Sequence, residues 1–413
     1  MLFFTSITSC FLPKARVLGK TLKKHNPSAK LWVLLSDELP EGFELEKEPF
    51  DGILDSREIE LNCDMSVPFW FFLHDVTETC TAVKAWGALR LLEITGEDKI
   101  VYLDPDTAVF NSLLPLEKML DEYDIIITPH RLAPEPRFDS FYYGDHQLYT
   151  HGVFNLGFVA VKKSEQGVAF LEWWRKMSEN FCFIETSKGL FTDQKLIDLA
   201  PAFFDKLHIC RDEGYNISWW NITQRTISGT PDALFVNSNP VYFYHFSHFD
   251  SGLHKQIMKE YCNDNQDLWS LYEWYVQLQN ACGYEKMRYF PWRYSTYNNG
   301  EPIANLARKT SRENSSIFQK YRYSDPYSSR DSNGLYQFFK SNFPECLDGY
   351  EAPHVSEETS YFEAYHEVLN SRSFRLGKKI VDFAGWFLPA GSIQRRFLAK
   401  VWRRLRGKTE THS

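Results

Sequence analysis

Short apolar runs alternate with helical patterns along the first 250 residues, and this rhythm constrains the fold more than any other feature of the chain. Leu2 to Ile7 predicts a strand, Leu12 to Lys24 a helix ending near Asn26-Pro27, and Leu31 to Leu35 a second strand. A helix over Thr79 to Ile94 precedes a strand over Lys99 to Leu103. Asp124 to Thr128 and Val153 to Val161 predict two more strands, and Glu165 to Phe181 a helix. Strands that alternate with helices pair in a mostly parallel sheet covered on both faces. The expected class is therefore α/β and Rossmann-like. After about residue 250 the rhythm fades into Tyr- and Ser-rich stretches, which predict a helical, loop-rich region. The expected organisation is 1–250 as the catalytic domain, 251–390 as a helical C-terminal region and 391–413 as a separate tail.

A chain of 413 residues holds one large domain with an appendage, or two domains. Its net charge of −8 argues against general nucleic-acid binding, which needs a basic face for phosphates. The eight cysteines show no CxxC pair and no regular spacing. They predict reduced structural thiols in a reducing compartment rather than a zinc site or a disulfide framework. No run approaches the ~20 apolar residues of a membrane span, and the N-terminus lacks the pattern of a signal peptide. Aromatic residues reach 16%, a surplus that suits either stacking on sugars or a core rich in Phe.

The chemistry begins where Lys-Ile-Val-Tyr-Leu runs into Asp104-Pro105-Asp106. In an extended backbone, residues i and i+2 point the same way, so both carboxylates can address one cation. Pro105 holds Asp104 extended. Ligands of open α/β sheets bind beyond the carboxyl ends of the strands, where this pair stands. Oxygen ligands of this kind suit Mg²⁺ or Mn²⁺ bridging to a substrate phosphate.

Several stretches accompany the acid pair in a fixed order: Thr81-Ala-Val-Lys84-Ala-Trp, Val101-Tyr-Leu-Asp-Pro-Asp106, Thr128-Pro-His130 and Gly152-Val-Phe-Asn155-Leu-Gly157-Phe. Leu190-Phe-Thr-Asp193-Gln194-Lys, Gly214-Tyr-Asn216-Ile-Ser-Trp-Trp-Asn221 and His245-Phe-Ser-His248-Phe-Asp250 follow. Together they resemble the retaining GT-A glycosyltransferases around glycogenin and the bacterial lipooligosaccharide galactosyltransferases (family 8), and more closely a branch of bacterial surface-polysaccharide transferases. The resemblance covers roughly residues 2 to 250. A second segment, Tyr297-Asn-Asn-Gly300-Glu-Pro-Ile303 with Arg308, then Tyr323-Ser-Asp-Pro326-Tyr, resembles one appended to such transferases.

What the resemblance implies is a GT-A fold and a nucleotide-diphosphate sugar donor, a UDP-sugar first. The acceptor would be a glycan or lipid-linked hydroxyl, in polysaccharide or lipopolysaccharide synthesis. Asp104, Asp106 and His245 would hold Mn²⁺ or Mg²⁺, while Thr5 and Ser6 would meet the base and ribose. Asp193 and Gln194 would lie beside the anomeric carbon. An amide is a weak nucleophile, so Gln194 would stabilise charge or orient substrate rather than form a covalent intermediate. Lys84 is a candidate for the diphosphate, or else a solvated helix lysine. Asn155 falls in a strand, where its amide needs a partner, either a sugar hydroxyl or neighbouring backbone. Asn216 and Trp219 or Trp220 would shape a sugar subsite or pack as core. Two departures stand out: the family's Gly is His248 here, and its phosphate-binding Lys is Ser251, with Lys255 as a substitute. An inverting transferase of the same fold, or a non-catalytic carbohydrate-binding protein, remains open.

On a helical wheel of about 100° per residue, Ile393 to Leu405 separates an apolar side from a basic one carrying Arg395, Arg396, Lys400, Arg403 and Arg404. Such a helix either docks on an anionic membrane surface or packs on its own domain. The expected location is cytoplasmic, with peripheral membrane contact through 391–413.

Overall fold

The computed structural model describes residues 1–347, except 136 and 138–142, so the basic tail lies outside the described residues. A seven-stranded sheet forms its centre. In chain order the strands are β1 (Leu2–Ile7), β2 (Lys30–Leu35), β3 (Gly52–Asp55), β4 (Lys99–Leu103), β6 (Ile125–Pro129), β7 (Phe154–Lys162) and Leu207–Ile209, with β5 (Thr107–Val109) outside the sheet. Across the sheet they run Leu207–Ile209, β6, β7, β4, β1, β2, β3. Every pairing is parallel except the two made by β7, which is antiparallel to both β4 and β6. The expected mostly parallel α/β class is the one found.

Alternation along the strands builds two cores. Phe4, Tyr102, Ile125 and Ile127 face one layer, where Trp70, Trp86, Leu91, Phe170 and Trp174 pack. Phe3, Val101, Leu103 and Ile126 face the other, under Leu18 and Leu22 of α1 (Leu12–His25) and Leu116 and Leu120 of the helix Leu114–Glu122. Large aromatic side chains fill these cores: Phe3, Phe4, Trp70, Phe71, Tyr102 and Trp174 are almost fully buried. All eight cysteines are free. Among the described residues, no helix is long and apolar enough to cross a membrane.

The single helix expected over Thr79 to Ile94 is two helices, Val76–Ala82 and Lys84–Thr95. Asp75 and Glu78 cap the first reciprocally, each side chain accepting from the other's backbone N–H. Val83 lies between the two helices with φ −81° and ψ −10°, and two residues earlier the Thr81 hydroxyl donates to the carbonyls of Thr77 and Glu78. Lys84 thereby becomes the first residue of a helix and points inward.

The described residues of the 251–347 stretch form helices and turns. The segment around Tyr297 and Arg308 packs as a third core: Tyr297, Ile303, Ala307, Leu335 and Phe339 close over Phe69 and Phe72 of α2 (Val67–Leu73). Arg308 is buried and donates to the carbonyls of Phe72 at 2.9 Å, His74 at 2.7 Å and Tyr294 at 2.7 Å. It thus serves the carbonyls that the last turn of α2 leaves without helical partners.

Candidate metal centre and its polar surroundings

Asp104 and Asp106 leave the carboxyl end of β4 on a turn, with the Asp104 N–H donating to the carbonyl of Gly157 at 2.8 Å. The strand Phe243–His245 pairs antiparallel with β5, which sets His245 opposite Thr107. His245 Nε2 lies 3.0 Å from Asp106 Oδ1 and 3.5 Å from Asp104 Oδ2. Neighbouring ligand atoms on an octahedral ion with bonds of about 2.1 Å are about 3.0 Å apart, so this donor set fits a small divalent cation. The three side chains form the one metal-capable group of three found among the described residues. Burial by itself would raise the Asp106 carboxyl and lower His245. The mutual charge and hydrogen bond outweigh it, holding Asp106 well below and His245 above its usual range.

Tyr102, two residues before Asp104 and on the same face of β4, donates its hydroxyl to Asp104 Oδ1 at 2.5 Å. Lys84 is 2% exposed. Its ammonium donates to the Leu156 carbonyl at 3.1 Å, lies 3.4 Å from Asp193 Oδ2 and 3.8 Å from Asp104 Oδ1, and covers the Tyr102 ring at 4.4 Å. The solvated alternative for Lys84 is thereby excluded. Burial opposes its charge, but the two aspartates prevail and raise it. The Asp193 carboxyl is pushed up to about 6, by burial first and by Asp104, against the pull of Lys84.

Around this centre, side-chain amides interlock. Asn155 Nδ2 donates to Gln194 Oε1 at 3.1 Å and to His130 Nε2 at 3.3 Å. Asn155 Oδ1 accepts from the Gly157 N–H and from Asn216 Nδ2, both at 3.0 Å. Gln194 Oε1 also accepts from the Leu156 N–H, and its Nε2 donates to the His151 carbonyl at 2.8 Å. The partners that the sequence demanded for Asn155 are thus its protein neighbours. His130 stays neutral, its pKa lowered by burial to about 3, with Nδ1 beside the Val153 carbonyl. Asn216 adopts φ +52°, a left-handed conformation that Asn tolerates, and its Oδ1 is buried without a hydrogen-bond partner. Thr5 Oγ1 and Ser6 Oγ, at the end of β1, are likewise buried and unpartnered. Trp219 and Trp220 are buried, and Trp220 meets the His245 ring edge to face at 5.2 Å. Lys255 is exposed on the helix Leu253–Tyr261, with its ammonium 5.7 Å from the Tyr272 ring centre.

No family model matches the chain. Over 150 residues it is 27% identical to the uncharacterized protein YfnD of Bacillus subtilis (strain 168), covering 36% of this chain and 46% of that protein. It thus spans about half the length of that curated relative. Among solved structures it is similar to the galactosyltransferase LgtC in complex with donor and acceptor sugar analogs, at 16% identity and a TM-score of 0.38, covering 68% of this chain and 96% of that one. It is also similar to the glycosyltransferase GlyE of Streptococcus pneumoniae TIGR4, at 15% identity and a TM-score of 0.38, covering 72% and 66%. The mannosyltransferase Ktr4p of S. cerevisiae matches at 11% identity and a TM-score of 0.34, covering 51% and 68%. These solved structures are glycosyltransferases.

His248 adopts φ +55°, left-handed backbone that non-glycine residues seldom enter and His enters more often than most. At Gly157 a Cβ would stand 2.4 Å from His245 Cε1 and 2.7 Å from Asn155 Oδ1. Gly157→Ala is therefore expected to displace the imidazole, to cost about 1–3 kcal/mol by overpacking, and to erase any stabilisation by Mn²⁺. Thermal melts with and without Mn²⁺ measure both effects. A variant that melts like the wild type and still responds to Mn²⁺ would show that His245 can give way. One contributor escaped the sequence reading, Tyr102. The i, i+2 spacing to Asp104 could have found it.

Proposed function

We propose that this protein is a metal-dependent glycosyltransferase that moves a sugar from a nucleotide-diphosphate donor, a UDP-sugar first, to a hydroxyl of a glycan or lipid-linked acceptor. The observation that carries the reading is the convergence of Asp104, Asp106 and His245 at the carboxyl end of the sheet, with one ligand atom of each within 4.8 Å of the others. Beside it stand the unpartnered hydroxyls of Thr5 and Ser6 and the unpartnered amide oxygen of Asn216, groups that a polar ligand would satisfy.

The leaving group of such a transfer is a nucleoside diphosphate. Asp104, Asp106 and His245 would hold a divalent cation, which when bound would neutralise the charge that develops on the leaving group. Tyr102 orients Asp104 as a ligand. Lys84, buried and kept charged by two aspartates, adds positive potential at the same edge. Gln194 and Asp193 are assigned to the sugar face. Gln194 is held by Asn155, Leu156 and His151, so it is pre-organised and contributes by position rather than by attack. Retention of the anomeric configuration, a role in bacterial surface-polysaccharide synthesis and a cytoplasmic location with the 391–413 tail on an anionic membrane complete the reading. They rest on the sequence resemblance and on the tail's basic face.

Thermal-shift titration with UDP-, GDP- and TDP-sugars, with and without Mn²⁺, tests it. One donor is expected to raise the melting temperature only when Mn²⁺ is present, since binding at a hundred times Kd adds about 2.7 kcal/mol. If no nucleotide sugar stabilises the protein with Mn²⁺, the reading falls.

A further inference from the structure

A second buried lysine stands beside the metal centre, on a different element from Lys84. Lys14 lies in the first turn of α1, only 4% exposed, and its ammonium donates to Asp250 Oδ2 at 2.7 Å. The Phe11 ring centre is 4.5 Å away. Two independent connections bring it to the cluster. First, α1 runs alongside β5 in the same direction: the Val109 N–H donates to Thr21 Oγ1 at 3.1 Å, and further on the Leu113 N–H donates to Asn26 Oδ1 at 2.8 Å. Stepping back from Val109 to Asp106 covers about 10 Å of extended chain. Stepping back from Thr21 to Lys14 covers about the same length of helix. Both paths return to one end of the sheet. Second, the Phe246 N–H donates to the Asp106 carbonyl at 2.8 Å, and four residues later the same segment delivers Asp250 to Lys14. The charge of Lys14 also reaches Asp106, where burial opposes ionisation and Lys14 adds to the stronger pull of His245 in keeping the carboxyl ionised.

The proposed donor needs cationic contacts besides the metal, because a diphosphate carries several negative charges. Ser251, at the position where the resembling family has lysine, donates its hydroxyl to the His248 carbonyl at 3.0 Å. Lys255 is exposed over Tyr272. Resting on the nucleotide-sugar reading, we infer that Lys14 is the diphosphate-binding lysine of this protein, exchanging Asp250 for a phosphate oxygen when the donor enters. Asp250 can release it without being stranded: its side chain is 40% exposed and its other oxygen accepts from the Tyr284 hydroxyl at 2.7 Å.

The test is calorimetric titration of the full-length protein with UDP, GDP and dTDP, each with Mn²⁺, and with the matching monophosphates and nucleosides. Lys14→Gln is expected to weaken diphosphate binding about tenfold to a hundredfold, the range of a charge-assisted hydrogen bond. Nucleoside binding should stay unchanged, and Lys14→Arg should restore most of the loss. Asp250→Asn should leave diphosphate binding unchanged or tighten it, because Lys14 no longer has a competing partner. Wild-type protein that binds a diphosphate, with Lys14→Gln binding it equally well, overturns this inference and leaves the proposed function standing. An Asp250→Asn variant that loses diphosphate affinity as severely would make the ion pair a structural clasp and overturn it too. Wild-type protein that binds none of the three diphosphates overturns the proposed function and this inference together.

Discussion

Asp106→Asn is expected to abolish the Mn²⁺-dependent response to nucleotide sugar and to lower turnover at least about a hundredfold, while the protein stays folded. The carboxylate touches His245 at 3.0 Å and is held ionised by it despite burial. Asparagine keeps the shape but removes the charge on which a hard divalent cation depends. Replacing an oxygen ligand is more severe than losing an outer-shell partner, which already costs tenfold to a hundredfold. The global fold does not rest on this side chain, since both cores lie beneath it and are apolar. Circular dichroism should therefore be unchanged while thermal shift with Mn²⁺ and donor disappears. Wild-type turnover in this variant would make the acid pair structural and end the metal reading. The same measurement on Asp104→Asn should agree, although Tyr102 then remains as a hydrogen-bond partner for the amide.

The largest expected loss of stability lies far from the metal ligands. Arg308→Ala should destabilise the protein by about 3–5 kcal/mol, because each buried carbonyl left without its donor costs about 1–3 kcal/mol. The guanidinium spans the carbonyls of Phe72, His74 and Tyr294, and truncation leaves all three without their donor. A cation at the C-terminal end of α2 also complements the helix dipole there. Arg312 does not replace it, being committed to the Leu73 carbonyl, Glu78 and Glu185. Urea denaturation followed by tryptophan fluorescence measures the loss. A change below about 1 kcal/mol would show that water enters and satisfies the carbonyls. The appended segment would thus act as a clasp on α2.

Some of the site was legible because its geometry is local. The i, i+2 spacing of Asp104 and Asp106 after an apolar strand needs only the extended backbone to converge, and Gly157 and Asn155 share one strand. Strand periodicity placed five of the seven strands of the sheet for the same reason, and missed β3 and Leu207–Ile209, which are too short to show a period. The division of the helix at Val83 was not visible, since nothing in the periodicity of 79–94 marks it.

The residue chemistry and the strand order of events belong to the sequence: a mostly parallel α/β frame, two carboxylates at the end of β4, and a histidine late in the chain. The tertiary structure decided what those residues do to one another. Antiparallel pairing of Phe243–His245 with β5 brings His245 onto the carboxylates, and a close packing at Gly157 admits its ring. Lys84 became a buried ion-pair partner rather than a solvated helix lysine, and Asn155 and Gln194 found their hydrogen bonds in each other. Lys14 reached Asp250 across most of the described chain. Periodicity reports which face of an element a side chain occupies. Only the packing of distant elements sets which charges share one low-dielectric space, and there a few ångströms decide between ligand, counter-ion and core.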